Sequence, residues 1–341
     1  MSLINTGFKV SKKDLPDAEV LYQSIINGNR IDLGRAVTLI ESKNIEEREV
    51  GKKLLKLCLQ SQKNCMRIGI SGPPGVGKST LLESIGKYLI EIGLKPAVLT
   101  IDPSSGINKG SILGDKTRMP FLAGSENAFV RSSPSGENLG GVAKNTREII
   151  PIIEAAGFNP VFIETVGVGQ SETEVSSMTD LFILILQPGA GDELQGIKKG
   201  IMELADIIIV NKNDNENKES ARKSFAQYSG ALNYIREKEN GWSRKVVLTS
   251  ALENSGIKEL WKDISRYFDE TLKNGFLVKQ REIQGIDWFK STIINSLISL
   301  TEKDNKVRKL INDLNNKLKN KSLSPIEACD KFIEKLEKLV K

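Results

Sequence analysis

The run Gly72-Pro-Pro-Gly-Val-Gly-Lys-Ser79 places glycines, a lysine and a hydroxyl at the spacing of a backbone cradle for phosphate. Glycines let the chain curl so that successive N–H groups point at one anion. Lys78 then reaches the β- and γ-phosphates of a nucleoside triphosphate, and the Ser79 hydroxyl is a ligand for Mg²⁺. Thr80 opens a helix whose N-terminal dipole favours the same anion. The expected phosphate-contacting run is therefore Pro74, Gly75, Val76, Gly77, Lys78, Ser79 and Thr80. A chance Gly-rich turn is the alternative, but a short apolar strand, Arg67–Ser71, precedes the run and an amphipathic helix with Leu81, Leu82, Ile85 and Leu89 follows it.

A second group of residues suits a guanine base. Asn211-Lys-Asn-Asp214 follows the apolar run Ile207–Val210. A carboxylate at Asp214 accepts from both N1–H and the exocyclic amine of guanine, donors that adenine lacks on that edge. Leaving the carboxylate unpaired against adenine costs on the order of a few kcal/mol. Asn211 is expected to brace the loop and contact the base edge, and the Lys212 stem to cover a base face. A solvated polar loop is the competing reading. Thr249-Ser-Ala-Leu252, at the end of the next strand, favours the base site: backbone N–H groups of Ser250, Ala251 and Leu252 are placed to meet the O6 oxygen.

Two strand-end acids complete the chemistry. Glu164 in Glu164-Thr-Val-Gly167 suits a magnesium-bound water, and the Gly167 N–H suits the γ-phosphate. Asp102, after Ala97–Ile101, is a second candidate for the metal's outer shell; taken singly, either acid could equally cap a helix. Gly110–Met119 and Gly189–Gly200 read as polar, glycine-flanked mobile loops. No evident catalytic base or intrinsic arginine finger stands out, so slow GTP hydrolysis is expected.

These motifs need a scaffold that gathers strand ends. Short apolar, β-branched runs alternate with helical stretches from Met66 onward: Arg67–Ser71, Ala97–Asp102, Ala128–Arg131, Val161–Glu164, Leu181–Gln187, Asp206–Val210 and Lys245–Thr249. Several are apolar throughout, as strands buried on both faces require. The fold class is α/β: a P-loop NTPase with a mostly parallel central sheet flanked by helices, ligands lying beyond the strands' carboxyl ends. Residues 1–64 read as an N-terminal helical extension, 65–269 as the nucleotide domain and 270–341 as a C-terminal helical arm. In that arm, Ile286 to Leu300 and Val307 to Leu318 form apolar stripes, and Ser324-Pro-Ile-Glu327 is a capping box. Asn211–Ser220 reads as a loop.

Composition narrows the classes. Of 341 residues 39% are hydrophobic, and 49 basic against 43 acidic residues leave a net charge of +6. No aromatic residues interleave with the C-terminal lysines, which argues against nucleic acid as a partner. Histidine is absent, removing imidazole bases and His metal sites. Cys58, Cys65 and Cys329 form no paired framework, which favours reduced thiols. The longest apolar run, Leu181–Leu186, is too short for a membrane span, and no targeting segment is evident, so a cytoplasmic protein is expected.

Nearly the whole chain resembles the MeaB/ArgK family of GTPases, the group that includes the methylmalonic aciduria type A protein. The resemblance is carried by Asp102-Pro-Ser-Ser105, Gly110–Met119, Leu139-Gly-Gly-Val-Ala143, Glu154-Ala-Ala-Gly-Phe158, Glu164–Glu172, Gln187–Lys198 and Gly28–Glu41. Glu rather than Asp at 164 is a family trait. Ser105–Lys109 departs from the family pattern, and a His common before Ala128 is missing. The resemblance implies a GTP- and Mg²⁺-using homodimeric chaperone of adenosylcobalamin-dependent acyl-CoA mutases, chiefly methylmalonyl-CoA mutase, which gates cofactor loading and protects the client. It implies that Asp102, Asp115 and Glu164 gather at the metal. It implies switches at Gly110–Met119, Glu164–Glu172 and Gln187–Lys198, with Lys198 answering to the nucleotide or the partner, and a dimerising C-terminal arm. A metallochaperone GTPase and an ATP-using kinase of a transport system are the rival readings.

Overall fold

Three helices come first among the described residues, each started by a side chain that accepts from the first free amides. The computed structural model describes residues 15–61, 64–101, 118–133, 139–165, 171–189 and 199–340. Asp17 caps α1 (Ala18–Ile26), Asn29 caps α2 (Arg30–Glu41) and Asn44 caps α3 (Ile45–Gln60). Leu21, Ile25, Leu33, Val37, Ile40 and Leu54 are buried at helical spacing. Ion pairs also hold these helices: Arg48 to Glu148 and Arg131 to Glu41, each carboxylate almost fully buried. Breaking such a pair on one side leaves a charge stranded, so the helices are tied to the rest of the fold by more than apolar contact.

Seven strands then alternate with helices: β1 (Arg67–Ser71), α4 (Lys78–Glu91), β2 (Ala97–Ile101), α5 (Pro120–Gly124), β3 (Phe129–Ser133), α6 (Leu139–Ala155), β4 (Val161–Thr165), α7 (Ser171–Ser176), β5 (Leu181–Leu186), α8 (Lys199–Leu204), β6 (Ile207–Val210), α9 (Lys218–Leu232), β7 (Lys245–Leu248) and α10 (Ile257–Lys273). They form one parallel sheet in the order β3-β2-β4-β1-β5-β6-β7. Every residue of β2, β4, β5 and β6 is buried, which explains their unbroken apolar sequence. The chain runs outward from β1 to β3, returns to β4, then crosses to β5 on β1's other side. That reversal leaves the loop after β1 at the sheet's topological switch point, where α/β folds hold ligands.

The expected strand over Ala128–Arg131 lies slightly later, at Phe129–Ser133. The expected loop Asn211–Ser220 is shorter than its composition suggests. A 3₁₀ turn spans Asn215–Asn217 and α9 begins at Lys218, where Glu219 and Lys223 pair one turn apart.

By internal contacts the chain divides into two compact units, Met1–Val278 and Lys279–Lys341. The N-terminal helices share the first unit with the sheet, and Asp269 lies inside α10. In that unit α10 buries Ile257, Leu260, Trp261, Ile264, Tyr267 and Phe268 at helical spacing, and Tyr267 meets Trp242 edge-on at 5.4 Å. α11 (Phe276–Lys303) begins in the first unit and runs into the second, which also holds α12 (Asn305–Lys319) and α13 (Pro325–Val340). Leu310, Leu314 and Ala328 make its small core. The capping box forms: Ser324 N–H donates to Glu327 Oε2 at 2.8 Å and Glu327 N–H to Ser324 Oγ at 3.3 Å.

Candidate functional site

The loop after β1 is shaped by close backbone approach. A Cβ on Gly72 would stand 2.2 Å from the Ile185 carbonyl oxygen, and one on Gly77, at φ +90°, would stand 2.7 Å from Asn211 Nδ2. The Gly72 contact has no slack, since its obstacle is backbone of a central strand. We expect Gly72→Ala to lower unfolding stability by about 2 kcal/mol or more, read as a shift in denaturant midpoint at unchanged slope.

Lys78 is buried and curls back over the loop. Its Nζ donates to Gly72 O at 2.7 Å and Pro73 O at 3.0 Å. Burial holds its pKa below the ordinary lysine value; Glu164 opposes that shift and Arg118 adds to it. An ammonium kept in a desolvated pocket is a strong attractor for phosphate. Ser79 Oγ donates to Glu164 Oε1 at 3.1 Å. Glu164 is itself buried near the end of β4, where Thr165 Oγ1 donates to Ser71 Oγ at 2.8 Å and ties β4 to β1. Pro74, Gly75 and Thr80 are exposed around this pocket, while Val76 is buried.

A hydroxyl and a carboxylate within one hydrogen bond of each other are the hard oxygen donors that Mg²⁺ takes beside phosphate and water. The donor set of Ser79 and Glu164 therefore fits that ion. Among the described residues no cluster of three or more His, Cys, Asp or Glu suits a metal. Asp102, Asp115, Gly167 and Lys198 lie outside the described residues.

The residues expected to recognise a base converge on one amide. Asn211, at the end of β6 and 1% exposed, donates from Nδ2 to Val76 O at 2.9 Å. Its Oδ1 accepts from Thr249 Oγ1 at 3.1 Å and from Ala251 N–H at 3.2 Å. One side chain thus couples the loop after β1 to the loops after β6 and β7. Lys212 takes a left-handed turn at φ 61°, and its Nζ donates to Gln187 Oε1 at 3.3 Å. Asp214 is buried, and Ser250 Oγ donates to its Oδ2 at 2.6 Å, fixing the carboxylate plane. Ser250 Oγ in turn accepts from Glu253 N–H at 3.1 Å, and Leu252 is 74% exposed.

Sequence reasoning missed the ties behind this arrangement. Ser84 Oγ on α4 donates to Asn254 Oδ1 at 2.6 Å, joining the phosphate helix to the second base loop. Glu83, an acid on the apolar face of α4, caps α5; its place between Leu82 and Ile85 was the available signal.

A family model described as methylmalonyl-CoA mutase-associated GTPase MeaB matches residues 33–306. The GTPase ArgK of Escherichia coli K12 is 42% identical over 314 residues, covering 90% of this chain and 94% of its own. A mouse protein named methylmalonic aciduria type A homolog, mitochondrial, is 38% identical over 335 residues, covering 95% of this chain and 81% of its own. Among solved structures, one described as an LAO/AO transport system kinase superposes with a TM-score of 0.72 at 34% identity, covering 94% of this chain and 97% of that one.

Proposed function

This chain belongs to the MeaB family of methylmalonyl-CoA mutase-associated GTPases, and from that premise we propose that it binds GTP with Mg²⁺ in the site built on Lys78, Asn211 and Asp214 and uses hydrolysis to gate adenosylcobalamin loading on an acyl-CoA mutase. It is a P-loop GTPase by family and fold. The observation that carries the site is Asn211, whose amide joins the phosphate loop to both base loops. A guanine held by Asp214 then sits at a fixed distance from a triphosphate held by Lys78.

In this reading the loop amides and Lys78 grip the β- and γ-phosphates, and Ser79 and Glu164 hold the metal, with Asp102 and Asp115 as further acids on the metal side. When bound, Mg²⁺ would supply neutralisation of the negative charge that develops on the phosphates. Gly167 and Lys198 answer to the γ-phosphate and the client. Asp214 rejects adenine, which disfavours an ATP-using kinase of a transport system; one related structure is described as an LAO/AO transport system kinase. The chain's lack of histidine and its scattered cysteines disfavour a metallochaperone. Three cysteines that form no disulfide favour a reducing cytoplasm. Among the described residues no helix is long and apolar enough to cross a membrane.

The client is an adenosylcobalamin-dependent acyl-CoA mutase, methylmalonyl-CoA mutase being the member named in the family's description. The active form is a homodimer. Support comes from α11, where Ile283, Ile286, Phe289, Ile293, Ile294 and Leu297 are exposed on one long helix. The test is association with purified methylmalonyl-CoA mutase in the presence of GTP analogue, GDP or no nucleotide. We expect affinities that differ at least about tenfold between states, the equivalent of about 1.4 kcal/mol of coupling. Equal affinity in all three states would remove the gating role.

A further inference from the structure

The loop after β7 closes on itself. Ser250 and Ser255 exchange two backbone bonds, each N–H donating to the other's carbonyl oxygen at 3.0 Å, so Ser250–Ser255 forms a ring. Its near side is held at the expected base site. There Ser250 Oγ donates to Asp214 Oδ2 at 2.6 Å, and Ala251 N–H donates to Asn211 Oδ1 at 3.2 Å. Past Ala251 the ring turns outward, and Leu252, Glu253, Asn254 and Ser255 are exposed. Its far side is held by Asn254, whose Oδ1 accepts from Ser84 Oγ on α4 at 2.6 Å.

Both partners are of the type that this bond needs. Asn254 has φ +55°, a left-handed conformation where glycine is the default and asparagine is well tolerated. Glycine would satisfy the backbone; the asparagine amide adds the reach to α4. Ser84 is 5% exposed on the face of α4 that also buries Leu81 and Ile85. A hydroxyl buried among apolar side chains costs stability unless it is bonded, and Ser84 sends its proton across to the ring. α4 starts at Lys78, and Ser84 stands about 9 Å further along its axis. Ile257 and Leu260 of α10, which follow the ring, share one core cluster with Leu81 and Ile85 of α4. The tie therefore joins two elements whose separation packing already fixes.

We infer that Ser84 and Asn254 are positioning residues for guanine selectivity, a second strut beside Asn211 that holds the ring after β7 in register with the helix carrying the phosphate loop. The inference rests on the reading that this site holds GTP. Asn211 ties the near side of the ring to the loop after β1, and Ser84 ties its far side to α4. A ring held on one side can swing about that side; a ring held on both cannot. The Asp214 carboxylate and the ring's N–H groups then stand in place before a nucleotide arrives, so less order is lost on binding. Neither Ser84 nor Asn254 contacts the base in this reading; they act through Ser250 and Asp214. Adenine makes no pair with Asp214 and gains nothing from the strut, so the strut acts on the discrimination between bases.

Equilibrium binding of GDP, a nonhydrolysable GTP analogue, ATP and inorganic tripolyphosphate to the full chain with Mg²⁺ tests this. Asn254→Gly keeps the left-handed backbone and removes only the amide. It is expected to weaken GDP and the GTP analogue about fivefold to tenfold, the scale of one hydrogen bond. ATP and tripolyphosphate should change less than about twofold, so the preference for guanine falls with the guanine affinity. General loosening of the fold would weaken all four ligands together. Ser84→Ala is expected to act as Asn254→Gly does, and the double variant to lose no more than either alone, since both remove the same bond. Asn254→Asp keeps the accepting oxygen and is expected to recover most of the affinity. Wild-type affinity for guanine nucleotides in both single variants would overturn the inference, and so would tripolyphosphate weakened as much as GDP. Should Ser84→Ala fail to fold, Asn254→Gly, on the exposed side of the ring, decides alone. A wild-type chain that binds ATP as tightly as the GTP analogue would instead sink the site reading on which the inference stands.

Discussion

Lys78→Ala is expected to cut single-turnover GTP hydrolysis by about 100-fold to 1,000-fold and to abolish the rise in thermal midpoint that GTP gives the wild-type chain. Lys78 donates to Gly72 O and Pro73 O, and burial holds its pKa down. A lysine whose pKa is lower folded than unfolded subtracts from stability while it is charged. That penalty is full below the folded-state value and fades as pH rises from it to the unfolded-state value. Removing the side chain relieves the penalty and loses two hydrogen bonds, so the nucleotide-free variant should unfold within about 1 kcal/mol of the wild type. The separation of large functional loss from small stability change is what distinguishes a ligand-gripping lysine from a structural one. A variant that hydrolyses GTP at the normal rate would show that phosphate is held elsewhere.

Asp214→Asn is expected to weaken GTP about 100-fold and to improve binding of xanthosine triphosphate. Guanine offers two donors along one edge, and the buried carboxylate offers acceptors only. Two charge-assisted hydrogen bonds at about 1.5 kcal/mol or more each correspond to about two decades of affinity. An amide presents one acceptor and one donor. It faces the guanine amine donor to donor, whereas xanthine has an oxygen at that position. Ser250 Oγ, 2.6 Å from Oδ2, holds the plane of the side chain in either case. Titration with fluorescent GTP, ATP and xanthosine triphosphate measures all three. Unchanged GTP affinity in the variant would place guanine recognition on other residues.

The parts of this molecule that a reader can take from its residues are those whose chemistry is local. The phosphate loop is legible because glycine spacing, lysine and serine occur within one turn, and the fully apolar β5 and β6 are legible because burial on both faces leaves no alternation. The capping box at Ser324 is legible for the same reason. Strand order is not, since nothing near Val161 says that β4 lies between β1 and β2. Nor is the role of Glu83 as cap of α5, which pairs residues far apart in sequence. Asn211 shows the boundary most clearly. Its neighbours Lys212 and Asp214 mark a base loop, but its bond to Val76 exists only because the sheet brings β6 beside β5, and β5 beside β1.

The three bonds of Asn211 also set where this chain tolerates added length. Between Val210 and Asp214 the spacing is fixed from both sides: Asn211 points inward, Lys212 takes a left-handed turn and Asn213 N–H bonds to Thr249 O at 2.9 Å. One inserted residue there would rotate either the amide or the carboxylate away from its partners. In the connection beyond α9, Lys238 bonds to Leu204 O and Asp206, while Tyr234 is 88% exposed, so a reporter peptide or affinity handle belongs at Tyr234.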